Sequence, residues 1–353
     1  MEKEIHVSMP LNATSQDRKV CESYLSYKLP PLRVRYFEGA FVTSSGLVCT
    51  SAGLIRECTH HTWKWQYETC QKEASRYYHD AQDDPQNLIT FDDEETYLVI
   101  HHPWYRNYYH WLNEAMFRLW MVKDETKEMI LLLPPQDELP KFALDSLKLF
   151  TFKSVYHIPS KKSVLVRTVC MPELKPTMAS YSRTGLRGLN EMFIDYFNTL
   201  SNVNLGERIY ISRGKSRRRW IVNEEEVIDA VIQYGFTVVY NEDYSFSEQV
   251  SLYSNAKYMI SIHGAAMTNM LFMREGSTIF ELCKQWTDIN DTHNFIFWYM
   301  ADALGFDFYH QLCKPTDPEE HYFTANIWVD INLLKRNLDM MFASISSYND
   351  IVR

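Results

Sequence analysis

The sequence predicts an α/β protein made of two Rossmann-like domains facing a cleft, and three observations carry that prediction. Short apolar runs that read as strands alternate with longer segments whose apolar residues recur at helical spacing, the pattern of βαβ units on a parallel sheet. The alternation comes in two blocks, one from residue 96 and one from residue 207. A length of 353 residues suits two domains, at roughly 100–200 residues each. A connecting helix near 183–200 separates the blocks and divides the chain into 1–203 and 204–353. The last helix is a candidate to pack back on the first domain.

The first 90 residues hold short β-type runs between Gly and Ser turns, "LRVRYFEGAFVTSSGLVCT" among them. "TYLVIHH" then reads as a buried strand and "YYHWLNEAMFRLWMV" as an amphipathic helix. "MILLLP" is a strand, "ELPKFALDSLKLF" a helix, "SVLVRTVCMP" a strand and "SRTGLRGLNEMFIDYF" the connecting helix. In the second block "ERIYISR" is a strand, and "NEEEVIDAVIQYG" is a helix with acidic residues in its first turn and Gly235 at its end. "FTVVY" is a strand, and "SFSEQVSLYSNA" is a helix opened by Ser245 with Glu248 three residues on, a capping box. "KYMISI" and "TIFEL" are strands flanking a helix at "GAAMTNMLFM". "THNFIFWYMADALG" and "VDINLLKRNLDMMFASI" close the chain as helices.

Composition narrows the function. The net charge of -9 argues against a nucleic-acid partner, since phosphate backbones demand a basic surface. No apolar stretch reaches the ~20 residues of a membrane span, and "MEKEIHVSMPLNATSQ" has no apolar signal region. The expected location is therefore the cytoplasm, and the sequon Asn12-Ala13-Thr14 carries no weight there. Seven scattered cysteines without a CxxC pair agree with a reducing compartment. Cys58, His60, His61 and Cys70 lie close in sequence, but their spacing matches no zinc pattern, and no metal is expected.

Three stretches carry chemistry. In "YMISIHGAAMTNMLFM" a strand ends at Ile262, His263 and Gly264 make the turn, and Gly264, Ala265 and Ala266 begin a helix. Small residues at a helix start admit a ligand to the backbone, where N–H groups and the helix dipole suit a diphosphate. The same residues also suit a tight strand–helix junction. Upstream, "ISRGKSRRRW" places five basic residues between 213 and 219, after another strand. Such a cluster is a solvated loop or a clamp that neutralises a diphosphate without a metal. Glu281, closing "TIFEL", is either a pairing residue or the acceptor of both ribose hydroxyls. The third stretch is "HHPWYRNYYHWLNEAMFRLW", where His110 and Glu114 stand four apart on one helix face. A carboxylate beside an imidazole fixes its tautomer and raises its basicity, which serves a general base or a structural hydrogen bond.

In order and spacing these motifs resemble glycosyltransferase family 61. The resemblance rests on Asn107, His110 and Glu114; on "ISR" ending at Arg213, followed by Arg219, Asn223 and Glu224; on Glu248 and Gln249; on His263 to Phe272; and on Glu281. It covers residues 96 to 311 and leaves the first 90 residues largely unmatched. The chain departs at Ala266-Met267, where the family more often has Gly-Leu, and at Glu114, where animal members have Asp. The resemblance implies a GT-B fold and inverting, metal-independent transfer from a nucleotide sugar, usually UDP-linked, with no resident cofactor. His110, with Glu114, is then the candidate base. Arg213, Lys215, Arg219, His263, Gly264, Ala265, Asn269 and Glu281 are candidates for the donor site, and Arg106, Asn107 and Trp104 for the acceptor or cleft. Trp104, Tyr105, Tyr108, Tyr109 and Trp111 offer flat faces for a sugar, although at helical spacing half of them are expected in the core.

The acid run "FDDEET" precedes a strand and is not the metal-binding DxD of a GT-A enzyme. A Rossmann oxidoreductase would need GxGxxG after a strand, which is absent. The expected role is transfer to a saccharide or lipid-linked saccharide in bacterial surface-polysaccharide (capsule) synthesis, with peripheral contact at the inner membrane face. The rival is a catalytically inactive glycosyltransferase-like scaffold in an assembly complex.

Overall fold

The structure is a computed structural model that describes residues 3–216, 218–285, 295–321 and 324–351, side chains included except at 16 and 344–351. It divides into two compact units, residues 1–3 with 28–192 and residues 4–27 with 193–353. This differs from a division at 203/204 in two respects. The boundary falls inside the connecting helix Arg183–Phe197, because the rings of Phe193 and Phe197 lie 5.1 Å from those of Phe272 and Phe246 in the second unit. Residues 4–27 join the second unit through hydrogen bonds such as Trp298 Nε1 to the Ser8 carbonyl and Tyr299 Oη to the Tyr24 carbonyl, both 2.7 Å.

The first unit is built on a seven-stranded mixed sheet, ordered Gly53–Leu54, Val48–Thr50, Val34–Thr43, Ser163–Pro172, Leu88–Val99, Ile130–Leu133, Ser154–His157. The last four run parallel, while Val34–Thr43 pairs antiparallel with Ser163–Pro172. The expectation of a parallel sheet therefore holds for only part of this unit: Val34–Thr43 joins antiparallel to Ser163–Pro172, and short turns add Val48–Thr50 and Gly53–Leu54 to it as hairpins. "FDDEET" lies within the strand Leu88–Val99, at a register shift between Phe91 and Thr96, and does not precede it. Val42, Val99, Val164, Cys70 and Ala74 fill the core of this unit, the last two from the helix Lys64–Asp83.

The second unit carries a six-stranded sheet, ordered Thr237–Val239, Arg208–Ile211, Tyr258–Ile262, Thr278–Lys284, Asp307–Pro315, Ile327–Trp328. All but the last strand run parallel. Numbered by sequence within the unit, the parallel strands stand 2-1-3-4-5, a doubly wound order whose ligand crevice lies beyond the carboxyl ends of the first and third strands. Those strands are Arg208–Ile211 and Tyr258–Ile262. Every residue of Tyr258–Ile262 is buried, as befits a parallel strand covered on both faces.

Two local expectations are corrected here. Residues Ala265–Phe272 form a 3-10 helix, closed by bonds such as Met267 N–H to the Gly264 carbonyl at 2.9 Å. Glu281 does not end its strand, which runs on to Lys284 because its pairing with Asp307–Pro315 continues through Lys284 and Cys313. The capping box of Ser245 and Glu248 opens the helix Phe246–Ser254 as anticipated. The start of "THNFIFWYMADALG" lies outside the described residues, and its helix is seen over Ile296–Leu304. Among the described residues, no helix is long and apolar enough to cross a membrane.

Candidate active site

The first unit gathers its titratable groups at the carboxyl ends of two adjacent parallel strands. Leu88–Val99 delivers His101 and His102, and Ser163–Pro172 delivers Lys175. Across these ends runs a helix in three pieces: Tyr108–His110, a π turn over Trp111–Ala115, and Met116–Met121. Asn107 caps it, its side-chain oxygen accepting from Tyr109 N–H at 2.9 Å. The buried guanidinium of Arg118 ties the helix to the sheet edge, with 2.6 Å bonds to the carbonyls of Pro172 and Ile100.

At the centre sits Glu114, 1 % exposed. His110 Nδ1 stands 2.7 Å and His102 Nε2 2.8 Å from Glu114 Oε2, while His60 Nε2 stands 3.2 Å from Oε1. Lys175 Nζ is 3.7 Å from Oε1, held by Tyr109 Oη and the Met178 carbonyl and lying over the Tyr181 ring. Burial pushes the Glu114 carboxyl up, but the surrounding imidazoles outweigh it and hold the group well below the ordinary carboxylate range. Burial brings His102 down to about 4 and lowers His110, with Glu114 opposing both shifts. Burial likewise lowers Lys175 to about 8. The arrangement is a neutral imidazole whose Nδ1–H is bound by an ionised carboxylate, leaving Nε2 to take a proton.

The expected aromatic platform is mostly core. Trp111 is fully buried with its Nε1 on Ser146, Tyr109 holds Lys175, Tyr105 donates to Glu138, and Tyr108 packs on Phe142. Trp104 stays beside His110, with ring centroids 4.8 Å apart, and Trp65 and Trp63 extend the wall beyond it. Arg106 pairs with Glu138 at 2.5 Å on the surface. Asn107 acts as the helix cap at the turn that carries His110.

In the second unit the candidate donor residues meet at the crevice between the first and third parallel strands. Gly264 follows Tyr258–Ile262, and a Cβ there would lie 2.4 Å from Arg213 Nη1 and 3.2 Å from Arg219 Nη1. Two guanidinium groups therefore rest where a side chain at 264 would stand. Arg219, at φ +64°, reaches the His263 carbonyl at 2.5 Å. Arg213 bonds Ser216 Oγ at 2.8 Å and keeps a buried Nε without a hydrogen-bond partner; burial lowers its pKa. His263 Nδ1 lies 2.5 Å from Glu281 Oε1, and both side chains are buried.

Glu281 thus engages an imidazole from within its strand and not from the strand's end. Lys215 is paired with Asp243 and partly exposed. Ala265 is half-buried at the start of the 3-10 helix. Asn269 is fully buried, with Nδ2 3.4 Å from Gln249 Oε1, and so braces this helix against Phe246–Ser254. Arg217 lies outside the described residues.

Sequence reasoning missed His102, Lys175, Trp63 and Trp65, and weighed His60 only beside Cys58, His61 and Cys70. His102 carried a signal, since it directly follows an apolar strand; Lys175 arrives from a loop with no motif around it. The Cys58, His60, His61, Cys70 group separates: burial raises the Cys58 and Cys70 thiols to about 11 and about 12, so both stay protonated. All seven cysteines are free. His60 instead joins His102, His110 and Glu114, whose ligand atoms lie within 4.8 Å of one another.

One unit is doubly wound with arginines at its crevice, and the other holds an imidazole–carboxylate pair. Residues 108–280 match the family described as Glycosyltransferase 61, and the match supports this family and a glycosyltransferase. Among curated relatives, the human protein O-linked-mannose beta-1,4-N-acetylglucosaminyltransferase 2 is 30% identical over 122 residues, 34% of this chain and 21% of the relative. Its counterpart in Xenopus laevis is 33% identical over 100 residues, 28% of this chain and 17% of the relative. That of Mus musculus is 31% identical over 106 residues, 29% and 18% of the two chains. The matched stretch spans about a fifth of these relatives' length.

Proposed function

We propose that the chain is an inverting glycosyltransferase of GT-B type that moves a sugar from a UDP-linked donor to a saccharide hydroxyl. The acceptor oxygen attacks the anomeric carbon, the bond from that carbon to the diphosphate breaks, and the hydroxyl proton passes to His110 Nε2. Glu114 holds the imidazolium that forms. Arg213, Arg219 and the turn at His263 and Gly264 meet the charge developing on the departing diphosphate, so this step needs no metal at the phosphates. Fixed charge aimed at a leaving group is usually the largest catalytic term. One observation carries the reading: two guanidinium groups lie against the Cβ-free face of Gly264 at the crevice of a doubly wound sheet.

The relatives' names specify N-acetylglucosaminyl transfer to O-linked mannose, so UDP-N-acetylglucosamine and a mannoside are the first substrates to try. A surface-polysaccharide acceptor, lipid-linked at the inner face of a membrane and reached from the cytoplasm, is the second acceptor class in this reading. No resident cofactor is included.

Thermal-shift titration with UDP, GDP, CDP and NAD, with and without EDTA, tests the donor site. A ligand bound only to the folded state at a hundred times its Kd stabilises it by about 2.7 kcal/mol. The expected result is stabilisation by UDP that survives EDTA and disappears in Arg213→Ala and His263→Ala. Silence toward every nucleoside diphosphate, or a response to NAD alone, overturns the donor reading. UDP binding with no transfer or hydrolysis of any UDP-sugar would identify an inactive scaffold.

A further inference from the structure

We propose that His60, His102, His110 and Glu114 form a binding site for a zinc-class divalent ion, separate from the donor-phosphate site in the second unit. The argument begins with tautomers. His60 Nδ1 lies 3.0 Å from the Lys175 carbonyl, which only accepts, so Nδ1 carries the hydrogen. That leaves Nε2 facing Glu114 Oε1 at 3.2 Å, and both atoms are fully buried with no hydrogen-bond partner. A nitrogen and a carboxylate oxygen left unpartnered in a dry site cost free energy unless a proton or a metal cation stands between them.

Three features fit an ion better than an extra proton. His60 has the usual build of a metal-bound imidazole, one nitrogen on a backbone carbonyl and the other turned to the site. Four ligand atoms lie within 4.8 Å of one another, and N₃O donors at 2.0–2.2 Å suit tetrahedral zinc. His102 Nδ1 is also buried without a partner, so its proton can move there and leave Nε2 to the ion with no proton released. Lys175 works against the ion from 3.7 Å behind Oε1 and so tunes its affinity. With the ion on His110 Nδ1, the ring's Nε2 carries the hydrogen and cannot accept one. The loaded form is then inactive in transfer, a consequence that rests on the function proposed above; ion binding itself does not.

The test is titration of chelator-dialysed protein with Co²⁺, read by its visible ligand-field band, followed by displacement with Zn²⁺ and metal analysis. One equivalent of Co²⁺ in a tetrahedral band is expected. His60→Ala and His102→Ala should each lower affinity at least tenfold, while His61→Ala leaves it unchanged. Should either alanine variant fail to fold, as judged by its melt, His60→Asn and Lys175→Met replace it. Lys175→Met removes the opposing charge and should tighten Co²⁺ at least tenfold. Absence of a band, a band unchanged in the His60 and His102 variants, or no tightening in a folded Lys175→Met overturns the proposal. None of these readouts involves a sugar donor, so the two proposals fail separately.

Discussion

At Gly264 a single methyl group separates folding from binding. Its φ of 163° is extended backbone that alanine adopts without strain, but the added Cβ would meet Arg213 Nη1 at 2.4 Å. That atom is the far end of a flexible side chain, so Gly264→Ala should cost only about 1 kcal/mol of stability. The guanidinium must leave its place, and UDP affinity should fall at least tenfold. A variant that melts like the parent and binds UDP equally well would remove Gly264 from the donor site. Asp17 gives a pH-dependent case. Burial raises its carboxyl, but His310, 3.7 Å away, and two hydrogen bonds from Thr14 bring it down to about 2. A depressed carboxyl stabilises the fold above its unfolded pKa near 4, and that stability is lost as pH falls from about 4 to about 2. Asp17→Asn should therefore cost about 1 kcal/mol at pH 7 after allowing for solvent screening, and nothing at pH 2. Melts at both pH values check the sign. Residue types were legible in the sequence at His110, Glu114, Arg213 and His263. The partner of Glu281 was not, because it depends on the strand register that sets Glu281 beside Ser261, two residues before His263.

The helix around His110 shows what an element adds to its residues. Spacing of four predicts that His110 and Glu114 meet, and they do, at 2.7 Å. Spacing cannot predict the π turn over Trp111–Ala115, which shifts every later side chain around the axis. That shift leaves Arg118 within reach of the Ile100, His101 and Pro172 carbonyls. A charged residue at 118 reads from sequence as solvent-facing, yet its three carbonyl partners keep it wholly buried. Replacing it by Leu strands those carbonyls, each unpaired group costing about 1–3 kcal/mol, so Arg118→Leu should lose about 3 kcal/mol or more in denaturant melts. A loss below 1 kcal/mol would mean that the helix is held by apolar packing alone. Asn107 tests the other end. Asn107→Ala removes the cap and should cost about 1 kcal/mol, while Asn107→Asp restores it. Transfer should slow in the first variant and recover in the second if the cap positions the base.

For the whole molecule, the alternation of strands and helices made most of the parallel strands legible, since burying an apolar face is a local demand that each segment records in its own pattern, but Asp307–Pro315 and Ser154–His157 were not read as strands. Contacts made across nearly the full chain leave no such record. The N-terminal segment belongs to the second unit through Trp298 and Ser8, 290 positions apart, and through Leu11 N–H to the Phe308 carbonyl at 2.9 Å. Asn12 adds a reciprocal pair, donating to the His310 carbonyl at 2.7 Å and accepting from His310 N–H at 3.1 Å. These bonds run along Asp307–Pro315, the last parallel strand of the sheet. Without residues 1–27, the Trp298 and Tyr299 side chains and the Phe308 and His310 backbone lose partners that half-buried groups need. Deleting 1–27 should therefore raise amide exchange in Ile296–Leu304 and Asp307–Pro315 at least tenfold, and leave exchange in Leu88–Val99 of the first unit unchanged. If exchange rose equally in both units, the segment would be a support for the whole chain. If it rose in neither, the N-terminal hydrogen bonds would be replaceable by water, and their length and number would say nothing about the stability of the second unit.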